Sequence, residues 1–155
     1  MALIRALSGS SGGGAANLLD VPVGWNGAYQ TNQTIAKTGN SIVFENVNQA
    51  TANSSATIGT FIDLTDVNTI VVKGNLTYVN PASLSLTNPD KSRVDISNSI
   101  ATISDIRTVQ TNTTYLPTNT GAFTVALDVS SLSGTKALNI KITQMTGSVT
   151  EVSFT

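Results

Sequence analysis

Hydrophobic and polar residues alternate with a period of two along most of the chain after residue 16. The clearest segment is 69–79. Its large apolar side chains share one face, at Ile70, Val72, Leu76 and Tyr78. Alternation of this kind predicts a half-buried strand. Gly74 interrupts the apolar face, which predicts a bulge or a close neighbour at that point.

The same alternation predicts a series of further strands, separated by Asn, Gly, Pro and Ser. They are residues 41–47, 57–64, 83–87, 93–97, 100–109, 122–129, 136–143 and 148–155. Residues 110–121 are expected to form a polar loop. Since no long window has a helical period, the predicted fold class is all-β. Eight or nine strands at this spacing are typical of an antiparallel β-sandwich of jelly-roll type. Lys73 and Lys141 are expected on outward strand faces, where a charge protects a sheet edge against pairing.

Residues 1–16 differ from the rest of the chain. An apolar stretch, 1–7, is followed by a Gly/Ser-rich stretch, 8–14, which has the composition of a flexible linker. We therefore divide the chain into an N-terminal arm, 1–16, and one sandwich domain, 17–155. The arm either folds back on its own domain, docks on a partner, or is a cloning remnant. The side chains available for docking are Leu3, Ile4 and Leu7.

No secretory leader and no membrane insertion are expected. The apolar stretch at the start is too short for a signal peptide. No window reaches the roughly 18 apolar residues of a membrane helix.

Composition strengthens the all-β prediction and narrows the chemistry. There are 23 Thr, 17 Ser and 15 Asn among 155 residues, and only 11% of residues are charged. Thr and branched apolar residues suit a half-buried pleated surface. The chain contains 0 His and 0 Cys, which excludes a Ser-His-Asp triad, a Cys-His pair, His or Cys zinc sites and disulfides. A net charge of −1 with scattered basic residues argues against nucleic acid as a partner. We therefore expect that the chain is not an enzyme and that it binds no cofactor.

The carboxylates do not identify a site by their spacing. A glycosidase needs two facing carboxylates, and the sequence does not show such a pair. Asp63 and Asp66 lie three apart at a strand end, where a role in a turn is expected. Calcium remains a lesser alternative for such oxygens, and the prediction is that no metal is bound.

The C-terminal third resembles a module found in structural proteins of phages and prophages. The resemblance rests on the turn Asp128-Val-Ser-Ser-Leu-Ser-Gly134 after a strand, followed by the strand segments 138–142 and 147–152. Asn17-Leu-Leu19 and Gly24-Trp25 near the start are also similar to this family. The resemblance implies a jelly roll of the galactose-binding-like or carbohydrate-binding type. The chain departs from sugar-binding members in having few aromatic residues.

The turn also has a structural interpretation of its own. Asp128 or Ser130 can bond backbone N–H groups of the turn. Leu132 can close the end of the sandwich, and Gly134 permits a positive φ.

The best ligand candidates are aromatic side chains beside amides. Trp25, Asn26 and Tyr29 lie in one turn-rich segment, and Tyr115 lies in the predicted polar loop. An aromatic platform with nearby hydrogen-bonding groups suits a sugar. The competing interpretation is that Trp25 packs into the end of the core.

These observations favour a non-enzymatic structural component of a phage or phage-tail-like particle, such as a surface decoration, fibre or spike. Its partners would be other particle proteins, further copies of itself in a homo-oligomer, and possible host-surface glycans. It would reside at the surface of a virion or extracellular particle. The alternative is a carbohydrate-binding module that attaches to cell surfaces. A hydrolase is the least favoured hypothesis.

Overall fold

The computed structural model describes residues 17–50 and 54–155, which form a sandwich of two antiparallel five-stranded sheets. The first sheet has the strand order β1 (Asn26–Tyr29), β4 (Ser55–Asp63), β9 (Thr135–Thr143), β6 (Arg93–Ser97) and β7 (Thr113–Tyr115). The second sheet has the order β2 (Gln33–Thr38), β3 (Ser41–Asn46), β10 (Met145–Phe154), β5 (Thr69–Val79) and β8 (Gly121–Asp128). The predicted all-β sandwich is confirmed.

The connections place successive strands in opposite sheets. From β3 to β10 every step except that from β6 to β7 crosses between the sheets, which is the jelly-roll type of winding. Short 3₁₀ segments occupy several connections. They are Leu18–Asp20, Val47–Gln49, Pro81–Ser85, Asn88–Asp90 and Ile103–Asp105.

The core lies between the two sheets and follows the alternation in the sequence. On β5 the inward residues Ile70, Val72 and Leu76 are buried, and Tyr78 at the strand end is half-buried. On β9 the inward residues are Leu138, Ile140 and Ile142, all without solvent exposure. Burying one such side chain contributes about 1.5–3 kcal/mol, so the paired inward faces supply the main stabilisation.

Gly74 has the close neighbours that its position in the sequence predicts. The register between β5 and β10 shifts between Val149 and Glu151, next to the pair Gly74–Val149. A Cβ atom at Gly74 would lie 2.7 Å from the Phe123 ring and would also collide with the Ser148 carbonyl oxygen. Only glycine therefore allows β5, β8 and β10 to approach one another here.

The turn after β8 is confirmed in its details. The Asp128 carboxylate accepts bonds from the Ser130 backbone N at 2.9 Å and from its Oγ at 2.7 Å. These bonds lower the pKa of Asp128. Gly134 has a φ of 73°, and Leu132 packs against the core.

Several sequence predictions of strands are wrong in number or position. There are ten strands instead of eight or nine, because β1, β2 and β7 are short or too polar to show a clear alternation. The predicted strand 83–87 falls on the 3₁₀ segment Pro81–Ser85, where Asn80 caps the backbone and Pro81 favours the first position of such a turn. Segment 100–109 is not a strand either, and it lies over the outside of the first sheet.

The proposed arm, 1–16, lies outside the described residues, and so do Leu3, Ile4 and Leu7. The division between arm and domain stays a prediction.

Candidate functional site

The outer face of the first sheet is covered by the chain itself. The connection between β6 and β7, residues 98–112, lies across this face, and we call it the cover segment. It buries its own apolar residues Ala101 and Ile106 against the sheet. Gly59 on β4 leaves the space for this contact, since a Cβ there would lie 3.1 Å from the Ile100 side chain and 2.5 Å from Asn139 Oδ1. The apolar residues of 100–109 therefore form a small layer outside the sandwich.

Asn139 holds the beginning of the cover segment on the sheet. Its Oδ1 accepts the Ala101 backbone N–H at 2.9 Å. Its Nδ2 donates to Ser97 Oγ at 3.0 Å and to the Ser99 carbonyl at 3.3 Å. One buried amide therefore satisfies three polar groups around the first residues of the connection.

An ion cluster of Arg93, Asp95 and Lys141 lies beneath the other end of the cover segment. β6 and β9 place the three side chains on neighbouring outward positions, since Arg93 pairs with Lys141 in the register. Asp95 Oδ2 lies 3.1 Å from Lys141 Nζ and 3.5 Å from Arg93 Nε. The exposure of these side chains does not exceed 2%. The cluster is therefore a fully buried group of two cations and one anion.

The two cations donate to backbone carbonyls of the surrounding connections. Arg93 Nη2 donates to the Ile106 carbonyl at 2.6 Å and to the Thr108 carbonyl at 3.0 Å, and its Nη1 donates to the Pro89 and Lys91 carbonyls. Lys141 Nζ donates to the carbonyls of Asp105 and Thr108 at 3.2 and 3.1 Å. The sheet thereby holds the cover segment through charge-assisted hydrogen bonds, which are stronger than neutral ones.

Burial changes the titration of both cations. Desolvation is the largest effect on each, and it lowers the pKa of Arg93 and of Lys141 from their ordinary values. The negative charge of Asp95 acts in the opposite direction on both residues. Asp95 therefore offsets part of the cost of burying the two positive charges.

The position of Lys141 corrects the sequence prediction. Its side chain does point to the outward face of β9, as the alternation requires, but it is buried because the cover segment lies above it. Lys73, by contrast, is exposed and forms an ion pair with Glu151 at 3.3 Å. Both lysines therefore lie on outward strand faces as predicted, but the predicted protection of sheet edges is wrong because β5 and β9 are interior strands of their sheets.

An open groove of about 370 Å³ lies beside the cover segment on the same face. It is lined by Gln30, Ser55, Leu86, Asp90, Ile106, Arg107, Thr143 and Gln144. Arg107 and Asp90 form a two-point contact, Nε to Oδ1 at 2.7 Å and Nη2 to Oδ2 at 3.2 Å. This volume is within the range of small-molecule sites. The wall offers amide, hydroxyl, carboxylate and guanidinium groups beside two aliphatic side chains.

The structure does not bring the four predicted ligand residues together. Trp25 is half-buried and packs against the core, and its Nε1 is buried without a hydrogen-bond partner among the described residues. Asn26 begins β1 and is exposed, and Tyr29 at the end of β1 is 60% exposed. Tyr115 ends β7 at the opposite edge of the same sheet, where Lys91 Nζ lies 5.6 Å from its ring centre.

Tyr29 and Tyr115 are therefore too far apart to form one platform. Four strand spacings separate their strands, or about 19 Å at 4.8 Å each. None of the four residues lines the groove. Gln30, which directly follows Tyr29 in the sequence, does line the groove.

Among residues 17–50 and 54–155, no three His, Cys, Asp or Glu side chains gather into a metal-binding group. No helix in the described ranges has the length and apolar character needed to cross a membrane.

Comparison with known proteins identifies no family. No family model matches the chain, and no curated protein matches it. Among solved structures, the chain is similar to the enzymatically active domain of tailspike protein 4 of bacteriophage CBA120, with a TM-score of 0.45 and 9% identity over 84% of this chain. The chain spans 19% of the length of that structure.

Sequence reasoning missed both the ion cluster and the groove. A signal for the cluster was present, since Arg93 and Asp95 are two residues apart on one short predicted strand and so share a face. In a chain with 8 basic and 9 acidic residues, two charges on one strand face are unusual. The groove had no comparable signal, because its residues come from distant segments.

Proposed function

We propose that the chain is a non-enzymatic structural component of a phage or phage-tail-like particle. In this role the arm, 1–16, attaches the chain to the particle, and the sandwich is presented at the particle surface. Further copies of the chain and other particle proteins are its partners.

The contrast between the two outer sheet faces supports this proposal. The first sheet is covered by its own chain, whereas the second sheet carries a row of small, uncharged side chains across all five strands. In register order they are Ala36, Val43, Ser148, Asn75 and Ala122. Val43 is 45% exposed. Lys73, Glu151 and Glu45 lie on the same face, on either side of this row. The uncharged row between them suits packing against neighbouring subunits, since charged residues are depleted at the centre of protein interfaces.

Removal of residues 1–14 tests the role of the arm. Particles purified from the producing bacterium should contain the full-length chain and should lack the shortened one. Thermal unfolding of the shortened chain should match that of the full-length chain, because the sandwich begins after the deletion. Normal incorporation of the shortened chain would refute the arm's role, and absence of the full-length chain from particles would refute the particle role.

The groove favours a second function, attachment to a cell-surface carbohydrate. Sugars are recognised by planar polar side chains combined with apolar contacts, and the groove offers both. Gln30, Asp90 and Arg107 would supply the hydrogen bonds, and Leu86 and Ile106 the apolar contacts. This function is compatible with the first, since a surface component can also contact the host.

A glycan array with bacterial surface polysaccharides tests the second function. Arg107→Gln should abolish any binding without changing the melting temperature, because its ion pair with Asp90 is exposed. Lys37→Gln, in the other sheet, is the control and should bind normally. Trp25→Ala should lower the melting temperature if the ring only packs against the core, and should remove binding at unchanged stability if it is a platform. No binding across the array would count against the function.

A further inference from the structure

The edge of β8 is the longest unpaired sheet edge in the described part of the chain. The four edge strands are β1 with 4 residues, β7 with 3, β2 with 6 and β8 with 8. β2 carries a lysine, whereas β8 has no charge before its last residue, no proline and a continuous register with β5. Proteins commonly protect an edge by shortness, charge, proline, a bulge or a covering loop. β8 has none of the first four features between Gly121 and Leu127, and residues 111–114 lie beside its C-terminal end.

The backbone groups on this edge point away from the sheet at every second residue. In an antiparallel ladder, residues that exchange hydrogen bonds with the partner strand alternate with residues that do not. Val129 N donates to the Asn68 carbonyl next to the ladder, so the odd-numbered residues of β8 face β5. Ala122, Thr124 and Ala126 therefore direct their N–H and C=O groups outward, and their side chains are exposed.

Residues 111–114 face the C-terminal end of this edge across a groove of about 270 Å³, whose other wall is formed by Ala126, Leu127, Asp128 and Ser131. Asn112 Nδ2 donates to the Asp128 carbonyl at 3.2 Å. That bond occupies the outward carbonyl at the end of the strand, and it leaves Ala122, Thr124 and Ala126 as the positions available for pairing.

We infer that β8 pairs with β8 of a second copy of this chain, antiparallel and edge to edge, to join the two second sheets into one ten-stranded sheet. The register that uses the three available positions places Thr124 opposite Thr124 and Ala122 opposite Ala126 of the other copy. The two Asp128 carboxylates then lie at opposite ends of the ladder, whereas a parallel pairing would place them together. The inference deepens the proposed assembly role by naming the surface through which copies associate.

The mass of the full-length chain in solution tests this pairing, with variants that change only the outward positions. The wild-type chain should have twice the mass of 16.0 kDa. Ala122→Lys with Ala126→Lys sets like charges opposite each other twice and should raise the dissociation constant about tenfold. Ala122→Lys with Ala126→Glu sets opposite charges face to face and should restore the dimer. Leu84→Lys, at an exposed position of the 3₁₀ segment Pro81–Ser85 outside both sheets, is the control and should leave the dimer intact.

Thr124→Pro provides an independent variant, because Pro removes an N–H that points away from β5. It should yield monomers whose circular dichroism and melting temperature show a folded domain. Hydrogen exchange should be slow at the amides of Ala122, Thr124 and Ala126 in the wild-type chain and fast in the double-lysine variant. A monomeric wild-type chain would overturn the inference, and so would a dimer that persists with the double lysine and the proline. These readouts use the isolated chain, so they are distinct from failure of incorporation into a particle.

Discussion

Replacement of Asp95 by asparagine tests whether the ion cluster holds the cover segment. Asp95→Asn keeps the size of the side chain and removes the negative charge between Arg93 and Lys141. Two buried cations then face each other with only carbonyl groups as partners. The expected result is a large loss of stability together with release of the cover segment.

The magnitude follows from the contacts. Asp95 Oδ2 lies 3.1 Å from Lys141 Nζ and 3.5 Å from Arg93 Nε, and none of the three is more than 2% exposed. Two unit charges about 4 Å apart attract by about 4 kcal/mol at an effective dielectric constant of about 20. Removing one partner of a buried pair costs about 3–5 kcal/mol after rearrangement. This is a large part of the about 5–15 kcal/mol that holds a domain folded.

Urea unfolding at several pH values measures the effect. Burial already holds the pKa of Lys141 below its ordinary value, and loss of Asp95 lowers it further. Between the folded and unfolded pKa of this lysine the unfolded chain binds more protons, so stability rises with pH across that interval. The deficit of Asp95→Asn should therefore be largest at neutral pH and shrink as the pH approaches about 10.

The control is Asp20→Asn, an exposed aspartate that should change stability by less than about 0.5 kcal/mol. Hydrogen exchange should show faster opening of residues 98–112 in Asp95→Asn than in this control. A deficit below about 1 kcal/mol that does not vary with pH would refute the assigned role of the charge.

Two further changes probe the close packing and the turn. Gly74→Ala should cost about 3 kcal/mol or more in urea unfolding, because the new Cβ collides with the Ser148 backbone carbonyl as well as with the Phe123 ring, while Gly24→Ala has no atom within 4 Å and should be neutral. Ser130→Ala should raise the pKa of Asp128 toward 3.8 in a carboxyl NMR titration, because the Oγ bond is removed while the bond from the backbone N remains. The wild-type chain loses the stability supplied by the Oγ bond as the pH falls through the lowered folded pKa, and the variant should lack this stability at every pH. An unchanged Asp128 titration would contradict the bonds assigned to Ser130.

The strands that were predictable from sequence are those with one face in the core. β5 and β6 have the predicted boundaries, and β3, β4, β8, β9 and β10 differ from their predictions by one to three residues at one or both ends. In these strands apolar side chains recur at about every second residue because the core lies on one side only. β1 and β2 contain too few apolar residues to show this alternation, and their pairing with β4 and β3 defines them as strands.

The alternation of apolar and polar residues could not predict which segments pack against the outer face of a sheet. The apolar residues Ile100, Ile103 and Ile106 resemble those of a strand, but they contact the outside of a sheet that the sequence does not identify. Lys141 shows the same limit. The alternation predicted that its side chain lies on the outward face of β9, but it could not predict that the cover segment buries the side chain there. The candidate ligand residues were chosen as aromatic groups near amides, and only the fold reveals that Tyr29 and Tyr115 lie at opposite edges.

The buried ion cluster has a physical explanation in the connection that covers it. A connection laid across a sheet face buries carbonyl groups that its own backbone does not satisfy, and each buried acceptor without a donor costs about 1–3 kcal/mol. Thr and Ser hydroxyls reach only one or two such groups, whereas Arg93 reaches four and Lys141 two. Asp95 then balances one of the two positive charges. Arg93→Met and Lys141→Met together with Asp95→Leu would remove the buried charges but leave these carbonyls without donors. The triple substitution should therefore destabilise the protein, unlike the replacement of buried ion pairs whose only partners are each other.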